Sequence, residues 1–421
     1  MRKFILKITM IAVVSLMTPT VQAKILAIKG GTVHTLGKMG VLKSATILIE
    51  NGRIKRVGQN VKIPAGAEVI DGTGKIIVPG FMHSGSQLGL SEISLTKDSN
   101  EHAAKKSPFS AAFNVKYGLK SNSAVIADNR RQGLTHAISQ SSGSDGIFSG
   151  SAAVISLTEG AHMFYGRGPM VARLTKAGNR NVGWAKIRLI LDQVAYYDQN
   201  RSRIMRGEGP SDFLLTTYNM DALVPVLKGK QKLVLWLNSE DDIRQAIALK
   251  KDYGLDLILS GAVEAWKVAS ELAQAKIPVI IDPQSNLPVS FGQVGATLRN
   301  GALLAAAGVE FAIAPGGMAL NHNAFMVNQV AGIAVAHGLD WSQALAAITL
   351  TPARIFGIEA DFGSIEKGKI ANIVLWDGDP LEVTSNPVYV IVRGVNYPLV
   401  SRRTLLRDRY IGLNKRPYAF H

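Results

Sequence analysis

Residues 69–90 read VIDGTGKIIVPGFMHSGSQLGL. A Gly-rich turn around Gly72 and Gly74 leads into the apolar run 76–78, which meets Pro79 and Gly80. A Pro-Gly pair at the end of an apolar run marks a change of direction. The next segment is placed to carry polar side chains into a site, yet it offers one His (His83), one Gln (Gln87) and a Gly between them (Gly85).

Upstream, KILAIKGGTVHT and ATILIENGRIKRVG are β-rich, and Asn51-Gly52 is a hairpin signal between two runs. The far end has the same texture: IANIVLWD, then VYVIVRGVNYPL with a turn at Gly394, Val395 and Asn396. Each set is too small to form a stable sheet by itself. Both ends are therefore expected to fold together as one composite β-sandwich, residues 24–78 with 360–421.

Between them the pattern changes. THAISQ, AAVISL, KLVLWL, LDLILS, IPVII and VEFAIA are near-continuous apolar runs, as parallel strands covered on both faces require. Helices alternate with them. Ser239 followed by Glu240, Asp241 and Asp242 opens one, and Gly254 closes it. VEAWKVASELAQAK is a second, and Thr351-Pro352 opens a third. Alternating β and α predicts an α/β fold, a (β/α)8 TIM barrel over residues 79–359. No segment between 158 and 230 reads clearly as the fourth strand.

Residues 1–23 stand apart. Arg2, Lys3 and Lys7 form a basic start, residues 8–17 are apolar, and Val21-Gln22-Ala23 is a small-x-Ala cleavage site. This is the pattern of a secretory signal peptide, and it predicts an exported, periplasmic or extracellular protein. No later segment reads as a membrane span. The absence of cysteine excludes a disulfide framework, a thiolate metal site and a Cys nucleophile. The formal charge of +16 comes from scattered Lys and Arg with no nucleic-acid-binding motif, so it reads as a solvated basic surface.

VIDGTGKIIVPGF resembles the lead-in motif of the amidohydrolase superfamily. AITLTPARIFGI, followed by GSIEKGKIANIVLWDGDPLE, resembles the segment where those enzymes leave their barrel. The nearest likeness is to the exported, imidazolonepropionase-like branch, over residues 25–410. The resemblance implies one or two divalent metals, usually zinc, at the barrel mouth. Such a metal lowers the pKa of bound water and so supplies hydroxide. It also implies His-x-His on strand 1, one His each on strands 5 and 6, and an Asp on strand 8.

Aligned on Pro79-Gly80 and Leu88-Gly89-Leu90, the His-x-His falls on Gly85 and Gln87. Asp242-Ile243 anchors the strand 5 position at Trp236. Glu264-Ala265 anchors strand 6 at Gly261, or at Ser260 if the alignment slips by one. The strand 8 Asp falls on Gly316. Gly has no donor, an amide oxygen is a feeble zinc ligand, and an indole N–H has no lone pair to give. No metal and no other cofactor is therefore expected. His83 is expected to share a face with 85 and 87 by strand alternation, and His136 and His322 are the other histidines that could converge with it. Each also has a plain structural role open to it, as a core or loop residue. The loop of Gly143, Ser144, Asp145 and Gly146 with Ser149, Gly150 and Ser151 reads as a mouth segment, and Glu159 as a lone acid at a strand end.

These residues support a family member that has lost its metal ligands and binds a small molecule in the barrel mouth. The alternative is a hydrolase of non-peptide C–N bonds acting through a displaced site at His83, His136 and His322. A third reading is a non-catalytic subunit in a homo- or hetero-oligomer with a related amidohydrolase.

Overall fold

The computed structural model describes residues 25–93, 96–174 and 179–411. The proposed leader, residues 1–23, lies outside them. Five strands come first: β1 (Ile25–His34), β2 (Val41–Glu50), β3 (Arg53–Gly58), β4 (Glu68–Asp71) and β5 (Ile76–Pro79). Eight form the second sheet: β6 (Phe81–Ser86), β7 (Leu134–Ser139), β8 (Phe148–Ser156), β9 (Phe164–Arg173), β10 (Leu233–Leu237), β11 (Leu257–Gly261), β12 (Val279–Ile281) and β13 (Phe311–Ile313). The last three are β14 (Ile373–Trp376), β15 (Pro387–Val392) and β16 (Val395–Tyr397).

Both chain ends share one hydrogen-bonded sheet, in the order β16-β15-β14-β5-β1-β2-β3 with β4 also on β1. The two layers of a sandwich do not stand as separate hydrogen-bonded ladders. The sheet curls instead: the Ile54 N–H on edge strand β3 donates to the Lys369 carbonyl at 2.9 Å, and the Gly368 N–H returns a bond to Ile54 at 2.8 Å. Asn51 and Gly52 turn the β2–β3 hairpin with φ of 51° and 77°, as that dipeptide predicts. The far turn falls one residue earlier than expected, on Arg393 and Gly394, and Val395 already belongs to β16. Period-two alternation divides the C-terminal strands. Ile373, Leu375 and Ile391 fill the sheet's own core. Val374, Trp376, Val390 and Val392 pack into the main core with the second sheet.

That second sheet runs β6-β7-β8-β9-β10-β11-β12-β13 and nearly closes on itself. The missing fourth strand is β9, whose interrupting Gly166, Gly168 and Pro169 hid it. Adjacent strands are parallel except around β8, which is antiparallel to both β7 and β9. The expected (β/α)8 pattern is therefore broken at one strand. Only residues 140–147 and 157–163 flank β8, and a parallel crossover needs a dozen residues or more. Helices cover the outer face elsewhere, including Arg180–Met205, Thr217–Leu227 and Glu240–Tyr253. The last begins as its sequence predicts: Ser239 Oγ accepts from the Asp242 N–H, and Gly254 caps the end at φ 66°. The helix Leu350–Ile355 starts after Thr349 rather than at Thr351, so Pro352 lies within its first turn.

The inside of the barrel is apolar. Met82, Ile138, Val154 and Val171 pack with Phe362 on one side. Val234, Ile258, Ile280 and Ala312 pack with Ile355 on the other. Among the described residues no helix is long and apolar enough to cross a membrane.

Candidate functional site

The C-terminal ends of β6, β10, β11, β12 and β13 surround a cavity of about 240 Å³. Gly85, Trp236, Ser260, Gly261 and Gly316 all line it. These positions are far apart in the chain and meet because five neighbouring strands end at one level. Gln87 sits at the rim, its N–H donating to the carbonyl of Leu320, a lining residue, at 2.7 Å. A second cavity of similar size shares Trp236 and Asn238 and extends to Trp184 and Asp242. Asp242 is held there by Trp184 Nε1 at 2.9 Å and Arg180 Nε at 3.0 Å.

Register resolves the strand 6 position. Trp236 pairs with Ser260, and Leu237 with Gly261. Trp236 packs with the inward residues Val234 and Ile258, so Ser260 shares its face and Gly261 does not. Gly261 also has a φ of 88°, and a Cβ there would lie 2.5 Å from Asn238 Oδ1. At Gly85 a Cβ would come within 2.7 Å of Gln140 Nε2, so that amide occupies the space a side chain would take. Gly316 is open: a Cβ would meet only Asp282 Oδ2, at 3.5 Å.

The proposed replacement histidines do not gather here. β6 carries a bulge, with His83 paired to Ala137 but Ser86 to Ser139. The extra residue breaks alternation, so His83 and Gly85 do not share a face. Met82, beside His136, is the inward residue instead. His83 is fully buried, and its Nδ1 accepts from the Gly85 N–H at 3.1 Å. Burial lowers its pKa to about 4; the carbonyls of Pro315 and Ala319 oppose this weakly without completing a bond to Nε2. His136 lies deeper in the barrel, stacked on Phe362 at 4.7 Å with Nδ1 2.8 Å from Thr135 Oγ1. Burial takes its pKa to about 3. His322 lies outside the cavity lining, its carbonyl facing Arg403.

Glu159 belongs to the opposite end of the barrel. Because β8 runs backwards, its C-terminal end faces the composite sheet, where Glu159 lines a groove with Arg53 and Tyr397 and pairs with Arg130 at 3.2 Å. Of the Ser/Gly segment, Gly143 and Ser144 pair with Ala103 and Ala104 in a two-residue parallel ladder within the 140–147 connection, while Ser149, Gly150 and Ser151 belong to β8.

Three residues in or beside the mouth lining escaped the sequence reading. Asp282, the one acidic side chain of the lining, accepts from the N–H groups of Gly316 (2.9 Å) and Gln284 (3.0 Å). Gln140 fills the space beside Gly85. Arg173, at the end of the unrecognised β9, pairs with Trp236 across the ladder and lays its guanidinium 4.2 Å above the indole.

A family model described as "Amidohydrolase family" matches residues 272–400. An amidohydrolase structure from Thermotoga maritima MSB8 superposes with a TM-score of 0.79 at 25% identity, over 90% of this chain and 100% of that one. The chain belongs to the amidohydrolase superfamily. Among curated superfamily relatives, a 5-methylthioadenosine/S-adenosylhomocysteine deaminase of Moorella thermoacetica is 34% identical over 132 residues, 28% of this chain and 30% of that protein. A dihydroorotase of Geobacter metallireducens is 42% identical over 57 residues, 14% of this chain and 13% of that protein. The matches thus span under a third of either relative.

Zinc sites are built from His, Cys and carboxylate donors. Here the strand ends present Gly85, Trp236, Ser260 and Gly316, with Gln87 at the rim. The one carboxylate of that lining, Asp282, already accepts two backbone N–H bonds. Among the described residues no three His, Cys, Asp or Glu side chains stand close enough together to hold a metal ion.

Proposed function

We propose that this amidohydrolase-family chain holds a small molecule at its barrel mouth without the divalent metal that the resemblance implies. The observation that carries this reading is the shared cavity: Gly85, Trp236, Ser260 and Gly316 meet there and none is a His, Cys or carboxylate donor of the kind zinc sites use. Trp236 supplies an aromatic face, and Asn238 and Gln293 supply amides. An apolar cavity with a few polar groups is the ordinary form of a small-ligand site.

The competing reading is a hydrolase acting on non-peptide C–N bonds. It is favoured by the deaminase and dihydroorotase relatives and by Asp282 in the lining. A site of His83, His136 and His322 does not support it, because those residues lie on different faces and levels.

Elemental analysis of the purified protein separates the two. Well under one zinc, iron or manganese per chain is expected, with no chelator-sensitive amide or cyclic-amide hydrolysis. One tightly held transition metal per chain would overturn the metal-free reading. A constructive test restores Gly85→His, Gln87→His, Trp236→His, Ser260→His and Gly316→Asp together, with Gln140→Ala to clear the space at residue 85. This variant should gain stoichiometric zinc; a folded variant that binds none would show the positions to be misassigned.

A further inference from the structure

Arg173 is the cation that ends β9. It is mostly buried, yet among the described residues it forms no ion pair, and its Nε–H is sealed from solvent without an acceptor. The residues outside the description contain no Asp or Glu that could supply one. Its neighbour Trp236 has the same deficit: the indole Nε1–H is buried and unpartnered. Buried donors are satisfied as a rule, and a buried charge without a partner is costly. Stacking on an indole offsets part of that cost and provides no acceptor. Burial already weakens the guanidinium's hold on its proton, bringing its pKa to about 10, which leaves it charged at neutral pH.

Arg173 lies over the ring that forms part of both mouth cavities. We propose that the mouth is a receptor for a small carboxylate ligand, with Arg173 receiving the carboxylate and the wall of Trp236, Ile280 and Ala314 holding its apolar body. A guanidinium fork matches the two oxygens of a carboxylate and stays charged where a lysine would titrate. The inference rests on the metal-free binding reading and specifies the ligand class for that same cavity.

Paired probes of equal shape test it: benzoate against benzamide, and hippurate against its neutral primary amide. Titrations of the purified full-length protein are followed by calorimetry and by tryptophan fluorescence. Wild type should bind the carboxylates, and Arg173→Gln should bind them at least tenfold more weakly, with affinity for the amides unchanged. Arg173→Lys should recover part of the carboxylate affinity. Thermal unfolding guards against a merely structural effect. Removing an uncompensated buried charge should leave the Tm of Arg173→Gln at or above that of wild type, whereas an Arg needed for packing would lower it.

Carboxylate affinity that survives Arg173→Gln, no binding of either carboxylate, or lost binding accompanied by a lowered Tm would each overturn the proposal. Acid and amide binding equally well, in both proteins, would overturn the anion preference and leave the metal-free cavity standing. Stoichiometric metal with chelator-sensitive hydrolysis would instead overturn the reading beneath it.

Discussion

His136 has 1% of its surface exposed, between Thr135 and Phe362. Its folded-state pKa of about 3 stands well below the unfolded value of 6.5. The unfolded chain therefore binds a proton that the folded chain refuses, and stability must fall as pH drops below 6.5. By pH 4.5 this one group costs about 2–3 kcal/mol. His83 shifts in the same direction for the same reason. Urea midpoints at pH 7.5 and 4.5 should show the loss, and His136→Phe should reduce it while keeping the stack on Phe362. An unchanged pH slope in that variant would mean that His136 is protonated in the native state.

At the scale of elements, β8 is the unusual piece. Its reversal lets short connections stand on both sides of it where parallel strands would need crossovers. The strand depends on Gly150, which has a φ of 92° and would place a Cβ 2.2 Å from the Phe113 carbonyl oxygen. That carbonyl is itself fixed, because it accepts the Ser151 N–H at 2.8 Å. Gly150→Ala should lose about 2 kcal/mol or more, from left-handed backbone strain and a contact that cannot relax cheaply. Chemical denaturation measures this directly, and a loss of under half that size would mean that the Phe113 segment yields.

For the whole molecule, the composite sheet and the barrel share one core. Trp376 on β14 is 1% exposed and packs on Phe81 of β6, with ring centres 5.4 Å apart. It also closes over Gly133, where a Cβ would lie 2.9 Å from Trp376 Cζ2. Removing this ring opens a large void between the two sheets, and Trp376→Ala should cost about 3–5 kcal/mol. Because strands from both chain ends pair within one sheet, calorimetry should still record a single transition. Two separated transitions in the variant would mean that sheet and barrel are held together mainly by this residue.

Much of this was legible in the chain itself. Apolar runs separated by helical patterns identified seven of the eight barrel strands, since the β6 segment and six further runs carried the signal. The β-rich ends with their Gly turns foretold that both termini fold together, expected as a β-sandwich and found paired in one hydrogen-bonded sheet. Gly85, Trp236, Ser260, Gly261 and Gly316, five of the positions that the resemblance singled out, line one cavity at or just beyond the strand ends. A strand's existence is a local property of burial and alternation. Its direction, register and neighbours are set by the hydrogen-bond ladder, which no single segment encodes. Only the tertiary structure could therefore reverse β8, send Glu159 to the far end, and place a bulge between His83 and Gly85. It also chose Ser260 over Gly261 as the partner of Trp236 and set Arg173 above that indole, its Nε–H buried without an acceptor.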